Sequence, residues 1–191
     1  MRLQQFFLTI ALIIGLGLAL NSQSYQLTES DFSITGTSNL HDWESQVTKV
    51  TWSGNFQFSE GGLESINNVR VSIPVEGIVS SKGRIMDKKT YGALQSDEHP
   101  NISYSLSNCA VTRQGDALVA NTKGRLTIAG TTRTIPIEIL INQLPNGQLV
   151  ATGDYSLTMS DYGIDPPTAL LGTLTTGDEV GLHFKLIFSP Q

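Results

Sequence analysis

The chain holds one cysteine, Cys109, in 191 residues, so it can form no internal disulfide and has no cysteine cluster for zinc. Charge is scarce as well. Only 15% of residues are charged and the formal net charge is −5, too sparse for a disordered acidic tail and of the wrong sign for a nucleic-acid footprint. No Gly-x-Ser-x-Gly elbow, phosphate-cradling glycine loop or dinucleotide fingerprint occurs along the sequence. The histidines His41, His99 and His183 lack the spacing of metal ligands. His41 stands beside Asp42, but neighbours on a strand point to opposite faces and no third partner can be named, so a structural role is expected there. These absences leave a binding or structural protein as the expectation, with no catalytic residue, metal or cofactor.

One hydrophobic run stands apart. Residues 6–20 are uncharged and follow Arg2, the pattern of a secretory signal peptide. The run falls short of the roughly 20 apolar residues a membrane-spanning helix needs. Ser22 and Ser24 supply small residues for cleavage after Ser24, giving a signal peptide over 1–24 and one domain over 25–191. Loss of Arg2 would make the exported chain one unit more negative, and Cys109 lies too far along to carry a lipid at that boundary.

What the remainder does have is alternation with a period of two, the mark of strands with one apolar and one wet face. It recurs in Val50-Trp52-Phe56-Phe58, Val69-Val71-Ile73-Val75, Ile102-Tyr104-Leu106, Leu118-Ala120-Leu126-Ile128, Ile135-Ile137-Ile139-Ile141, Leu149-Ala151-Tyr155-Leu157-Met159 and Leu182-Phe184-Leu186-Phe188. With the segment around Phe32 and Ile34 this makes about eight strands, punctuated by turns such as Ala129-Gly130-Thr131 and Pro145-Asn146-Gly147. Eight such strands, with no helix long enough to cover them, must hide their apolar faces from one another, and a closed antiparallel barrel also removes the exposed edges. A membrane barrel would turn its apolar face to lipid, but strands such as Val69 to Val75 are short for spanning.

An eight-stranded interior either fills with its own side chains or holds one small ligand. Gly54, Gly124 and Gly153 fall in the apolar phase, where missing side chains leave room or permit bending. Two stretches break the strand pattern and are placed at the barrel mouth: a short helix over 84–94 and an apolar loop over 161–172. Lys82, Arg84, Lys88 and Lys89 offer a handle for an anionic head group, with Ile85 and Met86 packing inward beneath them. His41 and Tyr162 are placed at the same mouth, and Trp43 is expected to plug a barrel end.

Four segments carry a family resemblance: Ser38-Asn39-Leu40-His41-Asp42-Trp43; Met86-Asp87-Lys88-Lys89-Thr90-Tyr91 leading to His99-Pro100-Asn101-Ile102; Gly124 through Thr132; and Asp161-Tyr162-Gly163-Ile164-Asp165-Pro166-Pro167. In that order, spanning roughly Tyr25 to Ser189, they resemble the YceI-like family of exported, lipocalin-like polyisoprenoid-binding proteins. Many members carry His-Ser-x-Val-x-Phe in the early strand, where this chain has Leu40-His41-Asp42-Trp43. The resemblance implies an all-β, eight-stranded antiparallel lipocalin-like barrel in the bacterial periplasm or outside the cell, whose lumen holds a polyisoprenoid or other long-chain lipid. The ligand contacts it implies coincide with the alternating sets: Phe56, Phe58, Val71, Ile73, Tyr104, Leu106, Leu126, Ile128, Ile137, Ile139, Tyr155, Leu157, Met159, Phe184 and Leu186. No nucleic acid and no stable membrane insertion is expected, a homodimer is compatible, and the competing expectation is a structural or stress-related interaction protein with a filled core.

Overall fold

A computed structural model describes residues 21–115, 117–169 and 172–191. Residues 1–20 of the expected signal peptide, and 170–171 of the expected mouth loop, lie outside the described residues. The alternating segments form strands β1 (Asn21–Gln23), β2 (Tyr25–Ser38), β3 (Trp43–Val47), β4 (Thr51–Ser59), β5 (Gly62–Pro74), β6 (Ile78–Ser80), β7 (Asn101–Gln114), β8 (Ala117–Ile128), β9 (Thr131–Gln143), β10 (Leu149–Thr158), β11 (Thr168–Ala169) and β12 (Leu174–Pro190). Among the described residues one α-helix, α1 (Arg84–Ala93), and two single-turn 3-10 helices, Val75–Gly77 and Ser160–Tyr162, interrupt them.

Every ladder is antiparallel, and the order is β1-β4-β5-β7-β8-β9-β10-β12-β2-β3-β6, with β11 on β12. The expected count of eight is therefore too low. Eight strands have nine residues or more, and the other four have five or fewer, too short for a period of two to register. The expected closure needs correction too. The order is an open path, with no ladder among the described residues joining β1 or β4 to β3 or β6. Side chains bridge that seam instead: Val47, Ile73 and Ile78 pack together from β3, β5 and β6, with Val50 and Ile34 against them.

Pro136 sits inside β9, where it faces Lys123 of β8. A proline there forfeits a donor, yet β9 pairs with β10 only from Leu140 to Gln143, so the missing N–H breaks no ladder on that side. The β8–β9 hairpin turns through Ala129 and Gly130, both left-handed at φ 44° and 77°, as a tight primed turn requires.

The two ends of the curled sheet differ. At one, Tyr25, Phe56, Phe58, Trp52 and Phe188 form a contiguous ring cluster, with Trp52 and Phe188 centroids 4.7 Å apart and Tyr25 stacked on Phe58 at 5.8 Å. The Tyr25 hydroxyl donates to the Gly147 carbonyl (3.0 Å) and ties the β9–β10 turn to this floor. At the other end lies α1. Its Asp87 carboxylate accepts from the Ser80 amide (2.7 Å), its Tyr91 hydroxyl donates to the Glu76 carbonyl (2.9 Å), and its Lys89 ammonium donates to the Thr168 carbonyl (2.7 Å). These bonds hold an amphipathic helix, none of whose residues is fully buried, across the open end.

Candidate functional site: a two-chambered apolar lumen

Between floor and helix the curled sheet leaves two chambers. The inner one is a cavity of about 160 Å³ and the outer one of about 130 Å³. Ile34, Ile102, Ile128 and Leu182 line both, so the chambers meet at a waist of four aliphatic side chains. The inner chamber is bounded by Phe56, Trp52 and Phe188 of the floor and by inward positions of β5 and β7–β10. The outer lies under α1, between Met86, Lys89, Thr90, Ala93 and Leu94 on one side and Leu157, Met159, Ile164 and Val180 on the other.

The inward glycines do not widen this space. The Tyr104 ring covers Gly124, the Trp52 ring comes within 2.8 Å of a β-carbon built on Gly54, and the Phe184 ring within 2.5 Å of one on Gly153. Each glycine is a shallow bed that lets an aromatic ring lie along the wall, and the expected vacancies are filled.

Two hydroxyls of the inner lining, those of Tyr104 and Thr122, are satisfied within the wall. The Tyr104 hydroxyl donates to Thr122 Oγ1 (3.0 Å), which donates to the Ile137 carbonyl (2.9 Å). Burial raises the Tyr104 phenol above its ordinary pKa although the bond to Thr122 opposes the rise, so the group stays neutral. With both hydroxyls committed, the inner chamber presents an almost wholly hydrocarbon surface. Polarity gathers at the outer chamber, where Ser80, Thr90, Thr176 and the Lys89 ammonium stand in the lining.

The alternation places Val71, Ile73, Tyr104, Leu106, Leu126, Ile128, Ile137, Ile139, Tyr155, Phe184, Leu186 and Phe56 on the inner chamber and Leu157 and Met159 on the outer. Phe58 is an exception: it lies behind the lining, stacked on Tyr25 in the floor. The mouth is rearranged more. Met86 and Lys89 face the outer chamber, whereas the exposed side chains of His41, Lys82, Arg84 and Lys88 line neither chamber. Ile85, expected to pack inward, is 76% exposed. Tyr162, expected at the mouth, is 2% exposed and packs with Leu126, Ile135, Met159 and Ile164. Trp43 lines the outer chamber and donates from Nε1 to the Thr37 carbonyl (3.0 Å), so it forms wall where a plug was expected.

The loop after β10 is built to hold its shape. The Arg133 guanidinium donates to the Asp161 carbonyl and pairs with its carboxylate (3.1 Å), and Thr158 donates to the other carboxylate oxygen (2.7 Å). Asp178 accepts from both the amide and the hydroxyl of Ser160, bonds that lower its pKa. Over this frame Arg133 stands 6.0 Å above the Tyr162 ring. The Tyr162 hydroxyl is buried with no hydrogen-bond partner, and burial, followed by the nearby Tyr155, pushes its pKa up to about 12.

The expected ligand contacts left out the lining residues Ile135, Leu182, Phe32 and Ile34, although all four stand in segments read as strands, and Ile78, whose strand is too short to read. Sequence reasoning also missed an outer-wall network. There Asp154 bonds His183 Nδ1 at 2.6 Å, and His183 Nε2 meets Thr35 Oγ1 at 3.2 Å, across three adjacent strands. The order suggests an acid–base relay, but these residues line neither chamber and His183 is exposed, so the network joins strands. No group of three or more metal-ligating side chains occurs among the described residues.

An antiparallel sheet curled around a hydrocarbon lumen, floored by aromatics and roofed by a short helix, defines a lipocalin-like binding fold. The chain belongs to the YceI-like domain family, whose profile matches residues 22–188. Similar solved structures are BcnA of Burkholderia cenocepacia (16% identity, 86% of this chain and 99% of that one, TM-score 0.67) and a polyisoprenoid binding domain from Saccharophagus degradans implicated in plant cell wall breakdown (12%, 92% and 100%, 0.63). A third is the Campylobacter jejuni YCEI protein (11%, 99% and 99%, 0.55). At these identities the likeness is one of fold. Among functionally curated proteins none matches the chain.

Proposed function

We propose that this chain is a non-enzymatic carrier of a long-chain apolar lipid, a polyisoprenoid, held tail-first with its end against the aromatic floor and its head in the outer chamber. The observation that carries the reading is the pair of chambers meeting at Ile34, Ile102, Ile128 and Leu182, a continuous hydrocarbon lining whose buried hydroxyls of Tyr104 and Thr122 are already paired. Such a lining favours no particular polar ligand and rewards length: burying ten methylenes supplies roughly 8 kcal/mol before the costs of association. The family and the polyisoprenoid-binding neighbour support the same ligand class.

In this reading Lys89, with Ser80, Thr90 and Thr176 beside it, receives the polar head, because these are the hydrogen-bonding side chains on α1, β6 and β12 that face the outer chamber. The site of action is the bacterial periplasm or beyond, in line with the signal-like N-terminus. No helix among the described residues is long and apolar enough to cross a membrane.

The test is native mass spectrometry on protein purified from its own compartment without detergent, followed by solvent extraction. A discrete added mass that extracts as an isoprenoid is expected. A clean unliganded mass, joined to a failure to take up an apolar fluorescent probe, would overturn the carrier and leave an interaction protein that binds on its outer wall.

A further inference from the structure

A carrier must meet the bilayer that supplies or receives its lipid, and the surface around the outer chamber has the composition for that encounter. Leu40 and Ile85 are the most exposed large hydrophobic residues among those described, at 64% and 76%. Both stand at the open end. Leu40 lies in the loop between β2 and β3. β6 runs antiparallel to β3 with Ser80 opposite Ser45, so the chain leaves β6 towards that loop before entering α1.

Hydrogen bonds make the rim continuous. Lys89 of α1 reaches the Thr168 carbonyl, Thr168 pairs with Thr175, and Asn39, next to Leu40, exchanges bonds with Thr175 through its side-chain oxygen (3.1 Å) and backbone amide (3.1 Å). One exposed apolar side chain would need no explanation, but here the two most exposed ones stand on the same rim, at the entrance to an apolar chamber.

Charge says which medium. The chain carries a formal net charge of −5, yet Lys82, Arg84 and Lys88 cluster around Ile85. At 3.6 residues per turn Arg84 and Lys88 share one side of α1 with Ile85 on its flank, while Met86, Lys89 and Thr90 turn to the outer chamber. Of the carboxylates on the same elements, Asp87 is engaged with the Ser80 amide, and Asp42 is the single acid in the loop that carries Leu40.

We propose that the rim formed by Leu40, Ile85 and the cations Lys82, Arg84 and Lys88 is a docking surface for an anionic lipid bilayer, seating the outer chamber against the membrane so that a lipid passes without crossing water. This rests on the lipid-carrier reading but uses side chains that line neither chamber. Exposed apolar residues enter the interface between headgroups and chains, and each cation near an anionic surface strengthens binding about fivefold.

The experiment is co-sedimentation of the full exported chain with vesicles of phosphatidylcholine alone or with 30% phosphatidylglycerol, at low and high salt. Binding is expected only with phosphatidylglycerol, weakened at least tenfold both by Lys82→Glu/Arg84→Glu/Lys88→Glu and by Leu40→Glu/Ile85→Glu, and weakened by salt as the Debye length shrinks. The altered side chains are exposed, so folding is expected to persist. In parallel, a polyprenol added from ethanol is followed by native mass spectrometry. Variants that load polyprenol like the parent yet fail to sediment establish docking as a separate step. A parent that sediments but loads nothing retains docking while the carrier reading fails. A parent that loads polyprenol without sedimenting on anionic vesicles, or a charge-reversed variant that sediments as well as the parent, overturns the proposal.

Discussion

The ring of Tyr104 lies flat over Gly124 on the neighbouring strand, so close that a single added methyl group would intrude on it. The same phenol donates to Thr122, two residues before that glycine on β8. Glycine bed and hydroxyl clasp together set where the ring stands, and with it the width of the inner chamber.

Disturbing either half of this arrangement should be measurable. Gly124→Ala overpacks the ring and should cost about 1–3 kcal/mol in urea unfolding. Thr122→Val strands the Tyr104 hydroxyl in an apolar wall at about 1–3 kcal/mol, and adding Tyr104→Phe should recover part of that loss. Equal losses in the single and double variants would show that the hydrogen bond does not orient the ring.

Charge placed in the outer chamber should expel an apolar ligand. Leu157→Arg puts a guanidinium on the lining and should cut retention of an apolar fluorescent probe at least tenfold, while Lys123→Glu on the exposed outer wall should leave it unchanged. Circular dichroism on both variants checks that the strands persist.

The aromatic floor should act as a ruler for tail length. Phe188 touches Trp52 and Phe56 at the blind end of the inner chamber. Replacing it by leucine preserves most of the apolar bulk but removes the ring. Offered a ladder of polyprenols, Phe188→Leu should prefer longer chains than the parent, read as a mass shift in the bound fraction. An unchanged length profile would place the tail's end elsewhere.

Tyr162 gives a prediction in alkali. Its phenol is raised from 10.0 to about 12 in the folded chain, so the stability linked to its neutral form is complete below pH 10 and is lost as pH climbs from 10 through 12. Tyr162→Phe should flatten that part of the stability profile. Because the hydroxyl is buried without a partner, the variant should match or exceed the parent at neutral pH by up to about 2 kcal/mol. A net loss at pH 7 would reveal a partner for that oxygen in solution.

Much of this architecture is legible in the sequence because a strand's two faces are written in its period. Positions such as Leu126, Ile139 and Leu186 follow from alternation alone, and helix α1 from its break in that pattern. What escapes is whatever depends on how strands are placed in space. Ile85 and Met86 are neighbours in one apolar pair, yet the helix turns one to solvent and the other to the chamber. Tyr162 looks like a mouth residue by its loop and is buried because Arg133 and Asp161 fold the loop back. The waist needs four strands to meet, and no single segment announces it.

The seam between the two ends of the ladder gives the wall an unequal firmness. Elsewhere, parting neighbouring strands breaks a row of amide bonds. Between β4 and the β3–β6 pair no ladder runs among the described residues, and Val50, just ahead of β4, packs against the cluster of Val47, Ile73 and Ile78. In deuterium exchange the amides of residues 51–55 in β4 that face away from β5, and those of β6 that face away from β3, should label well before those of β8, which is flanked by a ladder on both sides. A container whose lid is a helix thus also has a line of weakness along its length, held by apolar packing where most neighbouring strands are held by amide ladders.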